Sequence, residues 1–144
     1  MRRMLFWIVI IVIVVPLAYI RLAPSDPARF HRQAKPVDTA TELRTGGYVW
    51  RKVMEEDGQD ALRSLADAAA ATPRTQLLAG SVEEGQITYV TRTKWMGFPD
   101  YTTFGIYETP KGERYLEAFG RARFGRSDLG VNAKRIKGWL AALK

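Results

Sequence analysis

The residues with most chemical potential lie in one run, Arg121-Ala122-Arg123-Phe124-Gly125-Arg126-Ser127-Asp128-Leu129-Gly130-Val131-Asn132-Ala133-Lys134-Arg135. Strand alternation puts Arg121 and Arg123 on one face and Ala122 and Phe124 on the other. Gly125 and Gly130 permit a sharp turn with left-handed backbone. Ser127, Asp128 and Asn132 are residue types that cap helices or bond nearby N–H groups. A helix N-terminus flanked by Arg121, Arg123 and Arg126 is favourable geometry for an anion. The same residues allow a structural role, in which Asp128 and Asp100 pair with neighbouring arginines and lock the loop to a sheet.

Other chemistries are narrowed by what the chain lacks. Cys is absent, which excludes disulfides, Cys-ligated metal sites and a Cys nucleophile. His31 is the only histidine, so neither a multi-His metal site nor His-based catalysis in the core is expected, and no metal or cofactor is assigned. Ser127 beside Asp128 lacks a general base. Asp100, Glu117 and Asp128 are the carboxylates available for a hydrolase, whose acid/base chemistry needs two carboxyl groups roughly 5–10 Å apart.

These residues belong to a chain of 144 residues, 47% apolar and 26% charged, enough for one domain and an appendage. Lys and Arg total 22 against 15 Asp and Glu, a net +7. Residues 111–144 carry nine basic side chains and three acidic ones. Such asymmetry attracts phosphate or anionic lipid, or is a solvated helix face. The folded part is only mildly basic, and nucleic acid is not expected as a partner.

Met4 to Ile20 is uncharged for 17 residues, about 25 Å as a helix. This is the short end of a bilayer span, with Trp7 and Tyr19 near its ends. A cleaved signal peptide would show small residues at the cleavage site. Here Arg21 and Pro24 flank Ala23 and oppose cleavage. The expectation is an uncleaved membrane anchor over residues 1–21. Residues 22–45, with Pro24, Pro27 and Pro36 and no hydrophobic period, read as an extended linker holding His31.

The folded domain is expected over 46–144, in the order β-α-β-β-β-β-α. The strands fall at Tyr48–Val53, Gln76–Val82, Gln86–Lys94, Tyr101–Thr109 and Glu113–Phe124. One helix runs from the Asp57 cap to about Ala71, with Leu62, Leu65, Ala66 and Ala69 on one face. The last carries Ile136, Trp139, Leu140 and Leu143 as its stripe, with Lys134, Arg135, Lys137 and Lys144 off it and Asn132 as N-cap. Short loops between successive strands imply an antiparallel meander. The fold class is therefore α+β, one antiparallel sheet with two helices on one face. Trp95, Met96 and Phe98 precede the third meander strand and either line a groove or plug the core edge.

Three segments, Ala71-Thr-Pro-Arg-Thr75, Gly97-Phe-Pro-Asp100 and the run 121–135, come in the order of the signature stretches of the uncharacterised bacterial and plastid family known as domain of unknown function 1499 (DUF1499). The chain resembles that family over about residues 47–140. The start of the linker, Arg21-Leu-Ala-Pro-Ser-Asp-Pro-Ala-Arg-Phe-His31, resembles its membrane-anchored alphaproteobacterial members. The resemblance implies a fold and a location more than an activity. It points to Arg74, Arg92, Arg121, Arg123, Arg126 and Asn132 as anion-binding positions, with Asp100 and Asp128 as locks. Some relatives carry Cys near the last motif, and this chain does not, so a redox role is not implied.

The function expected is a membrane-tethered, non-enzymatic module of the cell envelope that binds an anionic or amphipathic ligand, an anionic lipid or an envelope protein. The alternative is a carboxylate-dependent hydrolase of the envelope. The two arginines before the apolar run favour a cytoplasmic N-terminus, whereas Arg21, Arg29, Arg32 and Lys35 behind it oppose export. The short leading tail is that of a signal-anchor. The expected location is the bacterial inner membrane, single-pass, with a periplasmic domain.

Overall fold

The computed structural model describes residues 1–143; Lys144, expected to lie off the last helix's apolar stripe, falls outside the described residues. Helix α1 runs Arg2–Leu22 with none of its residues buried. Its 21 residues make a rod of about 32 Å, long and apolar enough to cross a membrane. It exceeds the uncharged run because the flanking arginines continue the helix.

The domain is one antiparallel sheet of six strands. They are β1 (Glu42–Arg44), β2 (Gly47–Val53), β3 (Thr75–Ser81), β4 (Gln86–Arg92), β5 (Pro99–Glu108) and β6 (Arg114–Ala122), in spatial order β1-β2-β6-β5-β4-β3. β3 to β6 form the meander that the short loops require. β2 adds beside β6 in the register Tyr48 to Gly120 and Trp50 to Ala118. The short edge strand β1 was not anticipated; it exists because a two-residue turn, Thr45-Gly46 with Gly46 at φ +69°, brings the chain back on itself.

Helices α3 (Gln59–Ala70) and α4 (Val131–Leu140) cover one face. Leu62, Leu65, Ala66 and Ala69 of α3, with Ile136 and Trp139 of α4, pack on Ile87, Tyr89, Phe104, Leu116 and Ala118. A Cβ at Gly120 would lie 2.9 Å from Ile136 Cδ1 and 3.1 Å from Asn132, so a residue without one lets α4 sit close. Asp57 accepts from Gln59 N–H at 3.0 Å, acting just ahead of α3. Asn132 is not the cap of α4, contrary to expectation. It lies buried in the first turn, and Asp128 takes the free N–H groups instead.

The segment read as an extended linker does not stand free. Ala23, Phe30 and Ala34 are buried, and residues 23–41 lie as a strap across the sheet face opposite the helices, with a short helix α2 (Pro27–Phe30) inside it. The reason lies in the strands. Val49, Val90, Tyr101, Tyr115 and Phe119 alternate with the helix-facing set, so the second face is apolar too and must be covered. Phe30 stacks flat on Tyr101 with ring centres 3.8 Å apart.

The strap also closes over buried polar groups. Arg51 donates to Glu117 at 2.8 Å, to Asp38 at 2.8 Å, and to the carbonyls of Pro36 and Ala40. Glu117 also accepts from Ala34 N–H at 2.8 Å. Burial pushes the Glu117 carboxyl up, and the Ala34 N–H and the Arg51 guanidinium only partly offset it. His31 Nδ1 lies 2.9 Å from the Thr88 hydroxyl, which continues to Thr103 at 2.8 Å. The linker histidine is thus part of this layer.

Candidate functional site

Strand direction alternates, so the loops 71–74, 93–98 and 123–130 all gather at one end of the sheet. α1 leaves from that end. Tyr19 meets Phe124 edge to face at 6.2 Å, and a Cβ on Gly97 would come within 2.8 Å of Arg21 Nε. The last turn of the apolar helix is thereby built into the domain.

Two of the arginines singled out in the sequence converge there. Pro73 and the end of α3 deliver Arg74 in a left-handed conformation, φ +57°, unusual for a residue with a side chain. Its carbonyl accepts from Arg92 N–H at 2.9 Å, and its Nε donates to the Arg92 carbonyl at 3.1 Å. Arg92 ends β4 and donates from Nη1 to the Gly97 carbonyl at 3.0 Å. The loop is braced across its base, where Phe98 N–H donates to Thr93 Oγ1 at 3.0 Å and Thr93 N–H to the Phe98 carbonyl at 3.0 Å.

Together with Arg21 and Lys94 these side chains border a cavity of about 330 Å³ whose remaining walls are Gln76, Val90, Thr93 and Gly97. Among the described residues, no carboxylate lines it. Among the described residues, none of the four cations has a carboxylate oxygen within 4.0 Å; the ion pairs of the molecule use Arg44, Arg51, Arg63 and Arg135 instead. Four uncompensated cations around one concavity raise the local potential and concentrate anions. The guanidinium groups suit phosphate or carboxylate oxygens geometrically.

The other predicted anion ligands lie elsewhere. Arg121 and Arg123 share the strap face but lie beyond the Phe30–Tyr101 stack and are engaged. Arg121 donates to Thr103 Oγ1 and the Phe119 carbonyl, both at 3.0 Å, and to the Phe30 carbonyl. Burial, with the nearby charge of Arg32, pushes its guanidinium down to about 9. Arg123 donates to the Pro24 carbonyl at 2.8 Å and lies over the rings of Phe124 and Phe30. Both hold the strap. Arg126 is exposed in its loop, and Asn132 is buried on the helix face.

Asp100 accepts from Arg135 Nη2 at 3.1 Å, and Arg135 Nη1 donates to Asn132 Oδ1 at 3.0 Å. Burial nonetheless pushes the Asp100 carboxyl up. Asp128 accepts from Gly130 N–H, Asn132 N–H and Asn132 Nδ2 at 2.9–3.0 Å. Burial pushes its carboxyl up, but these donors together prevail and hold it below the usual range. Both acids border a cleft of about 220 Å³ beside Phe98, Phe124 and Leu129. Glu117 is on the opposite face of the sheet, held by Arg51. Of the three carboxylates named for a hydrolase, Asp100 and Asp128 share one cleft, each tied up by its own donors, and Glu117 does not join them.

Arg21 and Lys94 were not singled out as ligands in the sequence, where they read as a membrane flank and a strand end. Their available signal was position: a cation closing an apolar run, and a cation next to Trp95 in a Gly-Phe-Pro loop. Trp95 is 81% exposed and Met96 is exposed beside it, so neither plugs the core edge; Phe98 is half-buried.

The chain belongs to the family described as protein of unknown function (DUF1499), whose model matches residues 19–143 and so includes the strap. No curated protein matches it. Among solved structures it is similar to an uncharacterized protein from Rhizobium leguminosarum, at 13% identity over 90% of this chain and 83% of that one, with a TM-score of 0.29. It is also similar to the Mll3558 protein from Rhizobium loti, at 16% identity over 90% and 84% of the two chains, with a TM-score of 0.30.

Proposed function

We propose that this DUF1499 protein is a membrane-tethered, non-enzymatic module of the bacterial cell envelope that binds a phosphate-bearing anion at the end of the domain where α1 enters. The observation that carries this reading is the cavity bordered by Arg21, Arg74, Arg92 and Lys94 without a carboxylate. Supporting it, Arg74 is held at φ +57°, a sparsely populated conformation for a residue with a side chain, and its Nε bond to the Arg92 carbonyl keeps its guanidinium at the cavity. The contacts of Tyr19, Arg21 and Ala23 with the domain support an uncleaved anchor in the inner membrane, since cleavage here would remove part of the packed structure. In this reading the two leading arginines stay in the cytoplasm and the domain is periplasmic.

The test uses the full chain in phosphatidylcholine nanodiscs, titrated calorimetrically with glycerol phosphate. Wild type should bind, and Arg74→Gln with Lys94→Gln should bind at least tenfold more weakly, about 1.4 kcal/mol. Lack of wild-type binding, or an unchanged affinity in the variant, overturns the proposal.

A further inference from the structure

Charge is sorted along the strands of this domain. At the α1 end, Arg92 at the tip of β4 and the loop residues Arg74, Lys94, Arg123 and Arg126 outnumber the one loop acid, Asp128, whereas the loops at the far end carry Glu55, Glu56, Asp57, Glu83, Glu84 and Glu113 against the single base Lys111. The domain is therefore a charge dipole roughly parallel to its strands, with the basic pole at the root of the anchor. At that same pole the loop tips are apolar and unpacked. Trp95 and Met96 project from one loop, and Leu129, 92% exposed at φ +52°, projects from the other. Apolar tips rimmed by arginine and lysine at the foot of an apolar helix match the chemistry of a bilayer interface, where tryptophan settles at headgroup depth and basic side chains meet lipid phosphate.

We infer that the α1 end of the domain docks on the anionic bilayer into which α1 runs, with the Trp95–Met96 and Leu129 loop tips in the interface and a lipid phosphate headgroup in the Arg21–Arg74–Arg92–Lys94 cavity. This rests on the anion-binding reading above and names the source of the anion. The tether makes weak contacts sufficient, because an attached domain samples its own membrane at high effective concentration. The acidic far pole faces away from the lipid and opposes the inverted orientation.

The absence of Cys makes the test direct. Met96→Cys and Glu84→Cys, both at exposed positions, are each labelled with a fluorophore in full-length protein and reconstituted with lipids carrying a quencher at headgroup-to-upper-chain depth. In phosphatidylcholine–phosphatidylglycerol nanodiscs the label at 96 should be quenched several-fold more than the label at 84. Arg74→Gln with Lys94→Gln, or phosphatidylcholine alone, should reduce that difference. Equal, weak quenching at 96 and 84 in a protein that still binds glycerol phosphate overturns the docking and leaves the anion pocket standing. Strong quenching at 96 in a protein that binds no glycerol phosphate overturns the pocket and the headgroup half of this inference.

Discussion

Replacing Arg51 by Met strands the Glu117 carboxylate under the strap. In the native protein Arg51 is 5% exposed and Glu117 0%, and the guanidinium is shared among Glu117, Asp38, the Pro36 carbonyl and the Ala40 carbonyl. Asp38 reaches water and tolerates the loss; Glu117 does not. Removing one partner of a buried pair costs about 3–5 kcal/mol, a large part of a total stability of about 5–15 kcal/mol. With a urea dependence of about 2 kcal/mol per M, the unfolding midpoint should fall by about 2 M. The pH dependence has a definite sign. Burial already raises the folded-state Glu117 carboxyl above its unfolded value, and loss of Arg51 raises it further. The extra penalty is therefore largest above the raised folded-state value and shrinks as pH falls through it toward the unfolded value of about 4.3. Adding Glu117→Leu removes the stranded charge and should restore all but about 1–3 kcal/mol, the cost of leaving the Ala34 N–H without its acceptor. Urea denaturation of the detergent-solubilised chain, followed by tryptophan fluorescence between neutral pH and about pH 5, reads all three quantities. A loss below about 1 kcal/mol, or a loss that does not diminish on acidification, would show that the strap is not anchored through this pair.

Asp128→Ala should cost about 1–2 kcal/mol by freeing the N–H groups of the first turn of α4. Because the folded Asp128 carboxyl is held low, that contribution should be present above about pH 4 and vanish as acid protonates the native side chain, which urea melts at several pH values will show. Phe30→Ala removes the ring stacked on Tyr101 and should cost about 3–5 kcal/mol. Hydrogen exchange should then accelerate across residues 23–41 well before it does in β5 and β6; uniform acceleration would mean that the strap and the sheet open as one unit.

From the amino-acid sequence alone came the parts whose signal is local. The uncharged run Met4–Ile20 marks α1, the spacing of Leu62, Leu65 and Ala66 marks α3, that of Ile136 and Trp139 marks α4, and short turns specify the β3–β6 meander. These follow from backbone period and turn chemistry, which operate over a few residues. The strap was hidden because it has no period: Ala23, Phe30 and Ala34 are each buried by a different part of the sheet. Its one indirect signal was that Tyr101, Tyr115 and Phe119 repeat on the face the helices do not cover. The candidate site divides in the same way. Arg74 and Arg92 could be named, but their meeting with Arg21 and Lys94 depends on bringing together α1, the end of α3 and the β4–β5 loop. Arg121 and Arg123 have the same side chain as Arg74 and Arg92 and a different situation, because the strap crosses them and offers the Phe30 and Pro24 carbonyls, whereas Arg74 and Arg92 donate to the Arg92 and Gly97 carbonyls and still border the cavity. Residue type sets what a side chain can bind; only tertiary packing decided which arginines hold the strap and which border the positively charged cavity.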